Sequence, residues 1–444
     1  RRRCDNSKGD FSPVRVSEDS RAGFCFGENL KTRVDKGKWY DIMEKKEVRI
    51  AMASEEKMSY SFRKYQYIPL DDGTVEITGY SGKTEDLVIP SMMRGMKVSK
   101  IGNKVFSSCD FLTSITIPNS VVSIGNNAFE WCRSLSAVTL PTSLVSLGAY
   151  AFSFCHSLSS IILPDSVAFI GANPFMGCHN RIFVSPDNPS FAVIDGVLFR
   201  KSDKALISYL CEEIGTSYEI PHGITTIEDS AFSWASVSSI SIPDSVTKIV
   251  GSNPFLHCLW LKSISVSPAQ SHFRVIDGAL FHTATWTLLS YPCNKRDAEY
   301  IIPHATTLIG KDSFTGCDFL QSIRISSSVT AIGCSAFNGC HNLLSVFISE
   351  SVTTIGDEAF FSCSSLSSVT IPSTVVSIGK QTFFSCDSLK NLALPDSITY
   401  IGENAFACCP NLTLTVPRNS YAAEYAKANN IPCTYPDAND WLNN

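Results

Sequence analysis

The 444-residue sequence contains no apolar run of roughly 18 residues or more, so no segment is expected to cross a bilayer as a helix. Charge is sparse at 18%, and the formal net charge of -5 shows no basic excess. A nucleic-acid partner, which would need a basic footprint, is therefore not expected. Neither a nucleophile elbow nor a phosphate-binding loop occurs, and the eight histidines are spread over turns, so the chain reads as a non-enzyme without a cofactor. Behind the opening Arg1-Arg2-Arg3-Cys4 there is no apolar stretch, hence no visible signal peptide.

What is present is a repeat. Ile-Gly pairs place Gly102, Gly125, Gly148 and Gly171, and then Gly310, Gly333, Gly356, Gly379 and Gly402, each 23 residues apart. Phenylalanines keep the same step from Phe106 to Phe175 and from Phe314 to Phe406. A fixed period of this length marks a solenoid in which each unit packs only on its neighbours. That overrides the count of about two or three globular domains that the length alone suggests.

One unit can be read slot by slot. In Leu112 to Pro118 the apolar Leu112, Ile115 and Ile117 alternate with Ser114 and Thr116, as in a strand with one buried face. Pro118 lacks a backbone donor and ends the strand. Val121 and Ile124 form a second short apolar segment, Gly125 allows a turn, Phe129 returns to the core, and Cys132 closes the coil. Stacked coils put like slots about 4.8 Å apart in ladders. The fold class expected is a β-rich solenoid: a right-handed leucine-rich repeat superhelix with a parallel β-sheet along one face, two hairpin-bearing insertions and capped ends.

Of 17 cysteines, Cys109, Cys132, Cys155, Cys178, Cys258, Cys317, Cys340, Cys363, Cys386 and Cys409 occupy the repeat slot. Ladder neighbours have parallel Cβ vectors at strand spacing, too wide for an easy disulfide, so buried free thiols are expected. Cys4, Cys25, Cys211, Cys293, Cys334, Cys408 and Cys433 lie outside the slot. Cys155-His156, Cys178-His179 and Cys340-His341 raise a zinc question. Adjacent extended residues face opposite sides, however, and no metal site is expected.

The 23-residue rule breaks where residues 191–210 recur 82 positions later as residues 273–292. Asp195-Gly196 and Asp277-Gly278 within alternating apolar residues signal two-residue hairpins. A calcium loop around Asp187 and Asp195 is the competing reading, with too few acidic ligands. At the other end, residues 1–66 carry 16 Lys or Arg against 11 Asp or Glu and no repeat. Residues 1–65 are therefore expected to form a charged extension or cap, with a short helix over 45–58, or alternatively a basic arm for an acidic partner. The solenoid is placed at 66–420, with an 82-residue super-repeat at about 182–325, and a C-terminal cap at 421–444.

The unit Leu-x-x-Ile-x-Ile-Pro-x-Ser-Val-x-x-Ile-Gly-x-x-Ala-Phe-x-x-Cys resembles the BspA-type, or Treponema pallidum-type, leucine-rich repeat of bacterial surface proteins. Asp71 to Gly82 and the closing Tyr421 to Pro432 are similar to segments of the same family. The resemblance implies a secreted or surface-displayed protein, extracellular or on the cell surface, concerned with adhesion to host proteins or other cells.

Any ligand must then meet the exposed ladder of the main sheet. Its outward slot reads Thr116, Thr139, Ile162, Ser241, Ser265, Arg324, Phe347, Thr370 and Ala393, beside a row of mostly serines. This surface has few anchors of the Trp, Tyr or Arg kind. Trp260, Phe319, Arg324 and Phe347 make the expected contact patch for a protein ligand, a host matrix or cell-surface protein, on a monomeric chain. The alternative is that these aromatics only cover the core edge. Competing functions are a structural spacer without a ligand and a carbohydrate-binding or hydrolytic surface protein.

Overall fold

The structure, a computed structural model, describes residues 60–178, 181–210 and 214–436. The chain divides between residues 58 and 59, and the described residues belong to the second part. The expected helix at 45–58, Cys4, Cys25, Cys211 and His179 lie outside them.

Strand alternation and the proline stop produce short parallel ladders in register. On the main face Ser322–Arg324, Ser345–Phe347 and Ser368–Thr370 pair residue for residue at a step of 23. On the second face Ala331–Ile332, Thr354–Ile355 and Ser377–Ile378 do the same. The same pairing joins Asp86–Val88, Ser114–Thr116 and Ala137–Thr139 at the N-terminal end. The protein is thus a β-solenoid with parallel sheets and little helix.

Between the two faces the repeat slots fill three successive hydrophobic clusters that change over at the insertions. All eleven slot phenylalanines, from Phe106 to Phe406 and including Phe232 and Phe255, are buried. Their rings stack coil on coil, with centroids 5.1 Å apart for Phe106–Phe129 and 4.9 Å for Phe129–Phe152. Each contributes about 1.5–3 kcal/mol by burial. The stack restarts after each insertion, where the 23-residue period breaks. Tyr209 and Tyr291, on the insertions, stack on Phe232 and Phe314 at 5.3 and 5.1 Å.

Both insertions are hairpins, as Asp-Gly predicts. Phe191–Ile194 and Val197–Arg200 pair antiparallel, and so do Phe273–Ile276 and Ala279–His282. Asp195 and Gly196 have φ of +49° and +75°, the left-handed pair that a tight hairpin turn requires. A third strand then rejoins the solenoid in parallel, Ala205–Tyr209 against Thr226–Ile227. The loop before the first hairpin is organised by buried Asn188, whose Oδ1 accepts from the backbone of Ser190 and Phe191 at 2.9 and 2.8 Å.

Each insertion is spanned by a buried asparagine in an Asn-Pro-Phe sequence. Asn173 Nδ2 donates to the Ser230 carbonyl at 2.7 Å, and Asn253 Nδ2 donates to the Asp312 carbonyl at 3.0 Å. The coils before and after the hairpin are thereby tied by side chains rather than by ladder bonds. At the C-terminal end helix Tyr421–Ala428 starts at the Ser420 N-cap and buries Ala422, Ala423 and Ala426. Tyr425 Oη donates to the Gly402 carbonyl at 3.1 Å.

The cysteine slot is a hydrogen-bonded ladder. Cys132, Cys155 and Cys178 donate Sγ–H to the carbonyls of Phe106, Phe129 and Phe152 at 3.0, 3.1 and 2.9 Å. The slot cysteines are free thiols. Burial pushes the Cys109 and Cys340 thiols up to about 12. In Cys155-His156 and Cys340-His341 the thiol is buried while the imidazole is exposed, so the two potential metal donors point apart.

Candidate interaction surface

The proline-terminated strands turn alternate side chains of the main sheet to solvent. Register then sets them in two rows. One reads Glu299, Ser322, Ser345, Ser368, and the other Ile301, Arg324, Phe347, Thr370. Ile301 and Phe347 are 57% and 58% exposed, so two large apolar groups flank an arginine on three consecutive strands. Arg324 Nε donates to Glu299 Oε1 at 3.2 Å, both side chains being largely exposed. Such a pair adds little stability, but it fixes the guanidinium over the sheet.

The structure therefore brings Arg324 and Phe347 side by side. Trp260 and Phe319 occupy a different place, at the margin where the chain leaves the cysteine turn and enters the main strand. The coil between them contributes Asn294, whose Nδ2 donates to the Trp260 carbonyl at 3.4 Å. It also contributes Arg296, whose guanidinium lies 5.4 Å from the Phe319 ring centroid. Five residues separate Phe319 from Arg324, about 16 Å along an extended chain. The four residues thus form a margin pair and a face pair, not one cluster.

Sequence reasoning missed Ile301, Glu299 and Arg296. Ile301 stands one 23-residue step before Arg324, so the period itself could have found it. The 82-residue repeat, which equates Tyr218 with Tyr300, agrees with that placement. A second exposed pair, Ile162 beside Phe183, lies on neighbouring strands Ser160–Leu163 and Arg181–Val184.

A cleft of about 230 Å³ at the N-terminal end is lined by Arg63, Lys64, Tyr65, Tyr80, Leu87 and Val88, among others. Among the described residues no group of three or more His, Cys, Asp or Glu could hold a metal ion, and no helix is long and apolar enough to cross a membrane.

The model of the BspA type leucine rich repeat region matches residues 81–206, 208–294 and 307–426, in six copies. The chain belongs to this family. BspA-type leucine-rich repeats are binding scaffolds, and no enzyme family is evident here. Several solved structures are similar. A leucine rich cell surface protein from Faecalibacterium prausnitzii is 28% identical, with 84% of this chain and 98% of that one covered and a TM-score of 0.49. The pneumococcal vaccine antigen PcpA is 18% identical, with 86% and 99% covered and a TM-score of 0.46. The T. pallidum leucine-rich repeat protein is 19% identical, with 75% and 91% covered and a TM-score of 0.21. No curated protein matches the BspA-type chain.

Proposed function

We propose that this BspA-type chain is a secreted or cell-surface protein that binds another protein, in adhesion or host interaction, through the exposed face of its solenoid. One observation carries the reading: Ile301, Arg324 and Phe347 project from consecutive in-register strands, in a row that carries hydroxyl side chains at Thr116, Thr139, Ser241, Ser265 and Thr370. The core packing does not require them, because the same slot takes Thr370 and Ala393 elsewhere. An arginine between apolar side chains is the composition of a binding hot spot. Trp260 and Phe319 extend the contact toward the strand margin.

The test is surface plasmon resonance of the intact chain against purified extracellular matrix proteins. The reading expects at least one specific ligand, whose affinity falls about 30-fold or more in Arg324→Ala/Phe347→Ala, as removal of a hot spot of about 2 kcal/mol requires. Absence of any protein ligand, or unchanged affinity in the double variant, overturns it.

A further inference from the structure

The residue preceding the slot cysteine varies more than any buried slot, and its backbone is unusual. It adopts positive φ throughout: +61° at Trp131, +57° at Phe154, +65° at Trp234 and +56° at His257. The turn itself demands this left-handed conformation, since Ser362 and Ser385 share it and glycine takes the slot at Gly177, Gly316 and Gly339. Bulky side chains there are disfavoured, at roughly 1–3 kcal/mol each. Shape alone would be met by glycine or serine. Four rings occupy the slot instead, and they touch one another.

Trp131 and Phe154 stack with centroids 4.0 Å apart, and Phe154 meets Trp234 edge-to-face at 5.5 Å. Trp234 lies 4.7 Å from the His257 ring. Gly177 makes room for this, because a Cβ there would approach Phe154 Cδ1 to 2.6 Å. Two exposed rings stand further along the same turn, Trp260 two residues past Cys258 and Phe319 two residues past Cys317. The line runs along the solenoid axis and skips the coil of Gly177, where Phe154 meets Trp234 directly.

Cations accompany the rings. The Arg133 guanidinium lies 5.1 Å from the Trp131 ring centroid, and Arg296 covers Phe319. Segments 131–136, 154–159, 234–238 and 257–262 contain Arg133, His156, His257 and Lys262 and no Asp or Glu, in a chain of net negative charge. Carboxylates do border the line: Glu130 precedes Trp131, Asp110 Oδ1 accepts from the Arg133 backbone at 3.4 Å, and Asp318 accepts from His341.

We propose that this turn margin, from Trp131 to Phe319, binds an anionic polysaccharide. Ring edges and faces set along an axis suit the apolar C–H surfaces of successive sugars, and the interspersed guanidinium and ammonium groups suit carboxylate or sulfate substituents. A single line of rings, in which Phe154 is buried and Trp131, Trp234 and Trp260 are more accessible, favours an extended chain over a globular protein, whose interface needs about 800 Å² on each partner. The site lies beyond the sheet-face reading: Trp260 and Phe319 serve both surfaces, whereas Trp131, Arg133 and Trp234 serve this one alone.

The experiment uses the full chain and four probes: a heparin-derived oligosaccharide, hyaluronan, neutral dextran and single-stranded DNA. Binding is read by tryptophan fluorescence and by calorimetry. The expected result is that heparin or hyaluronan binds, that the affinity falls as salt rises, and that dextran does not bind. Trp260→Ala and Arg133→Ser, both at exposed positions, each weaken binding about 10-fold or more with an unchanged melting temperature. Trp234→Ser acts likewise and replaces a strained ring with a residue the slot accepts elsewhere. Tyr400→Ala, on the second sheet, leaves binding as it was. The proposal is overturned if neither anionic glycan binds, if dextran binds equally, if single-stranded DNA binds as well as or better than the glycans, or if the three margin variants bind like the parent.

Discussion

Cys363 Sγ donates to the Phe337 carbonyl oxygen at 3.2 Å, linking a slot in one coil to the backbone of the coil before it. The same bond recurs from Cys386 to Phe360 and from Cys409 to Phe383. A cysteine in this slot is a donor that also fills space. Cys363→Ala is expected to destabilise by about 1–2 kcal/mol, from the lost bond and a small cavity. Denaturant unfolding measures it, and an unchanged midpoint contradicts the role.

The same burial governs reactivity. Desolvation holds the Cys317, Cys363 and Cys386 thiols well above the usual thiol range, while Cys334 is exposed. Alkylation of the native protein followed by mass spectrometry is therefore expected to modify Cys334 rapidly and the three ladder thiols only on unfolding. Fast labelling of Cys363 in the folded protein contradicts the ladder.

Phe360 lies between Phe337 and Phe383 at 5.1 and 5.3 Å and is fully buried. Phe360→Ala is expected to cost about 3–5 kcal/mol, visible as a large fall in melting temperature. A loss below about 1 kcal/mol contradicts a continuous aromatic column.

His341 Nδ1 lies 3.0 Å from Asp318 Oδ1. That hydrogen bond holds the imidazole pKa above its ordinary 6.5, against a smaller opposing effect of burial. Because the folded-state pKa is raised, the pair stabilises fully below 6.5 and the contribution is lost as pH rises through the folded value. Both groups are about half exposed, so the effect stays below about 1 kcal/mol. Asp318→Asn keeps an acceptor for the His341 backbone N–H and removes the charge. The melting-temperature deficit of this variant is expected to be larger near pH ~5.5 than near pH ~8.5. A deficit independent of pH contradicts the pair.

Most of the fold was legible because each buried slot obeys one rule. Strand alternation, the proline stop, the Ile-Gly turn and the Phe and Cys columns repeat in sequence and in space, and the Asp-Gly turns give their hairpins directly. The Asn-Pro-Phe ties were not legible: Asn173 and Asn253 look like turn residues until a carbonyl 57 or 59 positions later is seen to accept from them. The surface was legible only in part. Arg324 and Phe347 stand out in an aligned slot, and Ile301, one 23-residue step earlier, belongs to the same row. The Trp131–Phe154–Trp234 line spans an 80-residue gap that no fixed period bridges.

The central claim is that binding resides in the side chains that depart from the repeat. It is tested most directly by returning them to residues found in the same slots of other coils. Trp260→Ser, Phe319→Ser, Arg324→Thr and Phe347→Thr are combined in one chain, and affinity is measured for a matrix protein that the parent binds. The account predicts an unchanged melting temperature and an affinity at least about 100-fold lower, the loss of roughly 2.7 kcal/mol. Parental affinity in the reverted chain contradicts it.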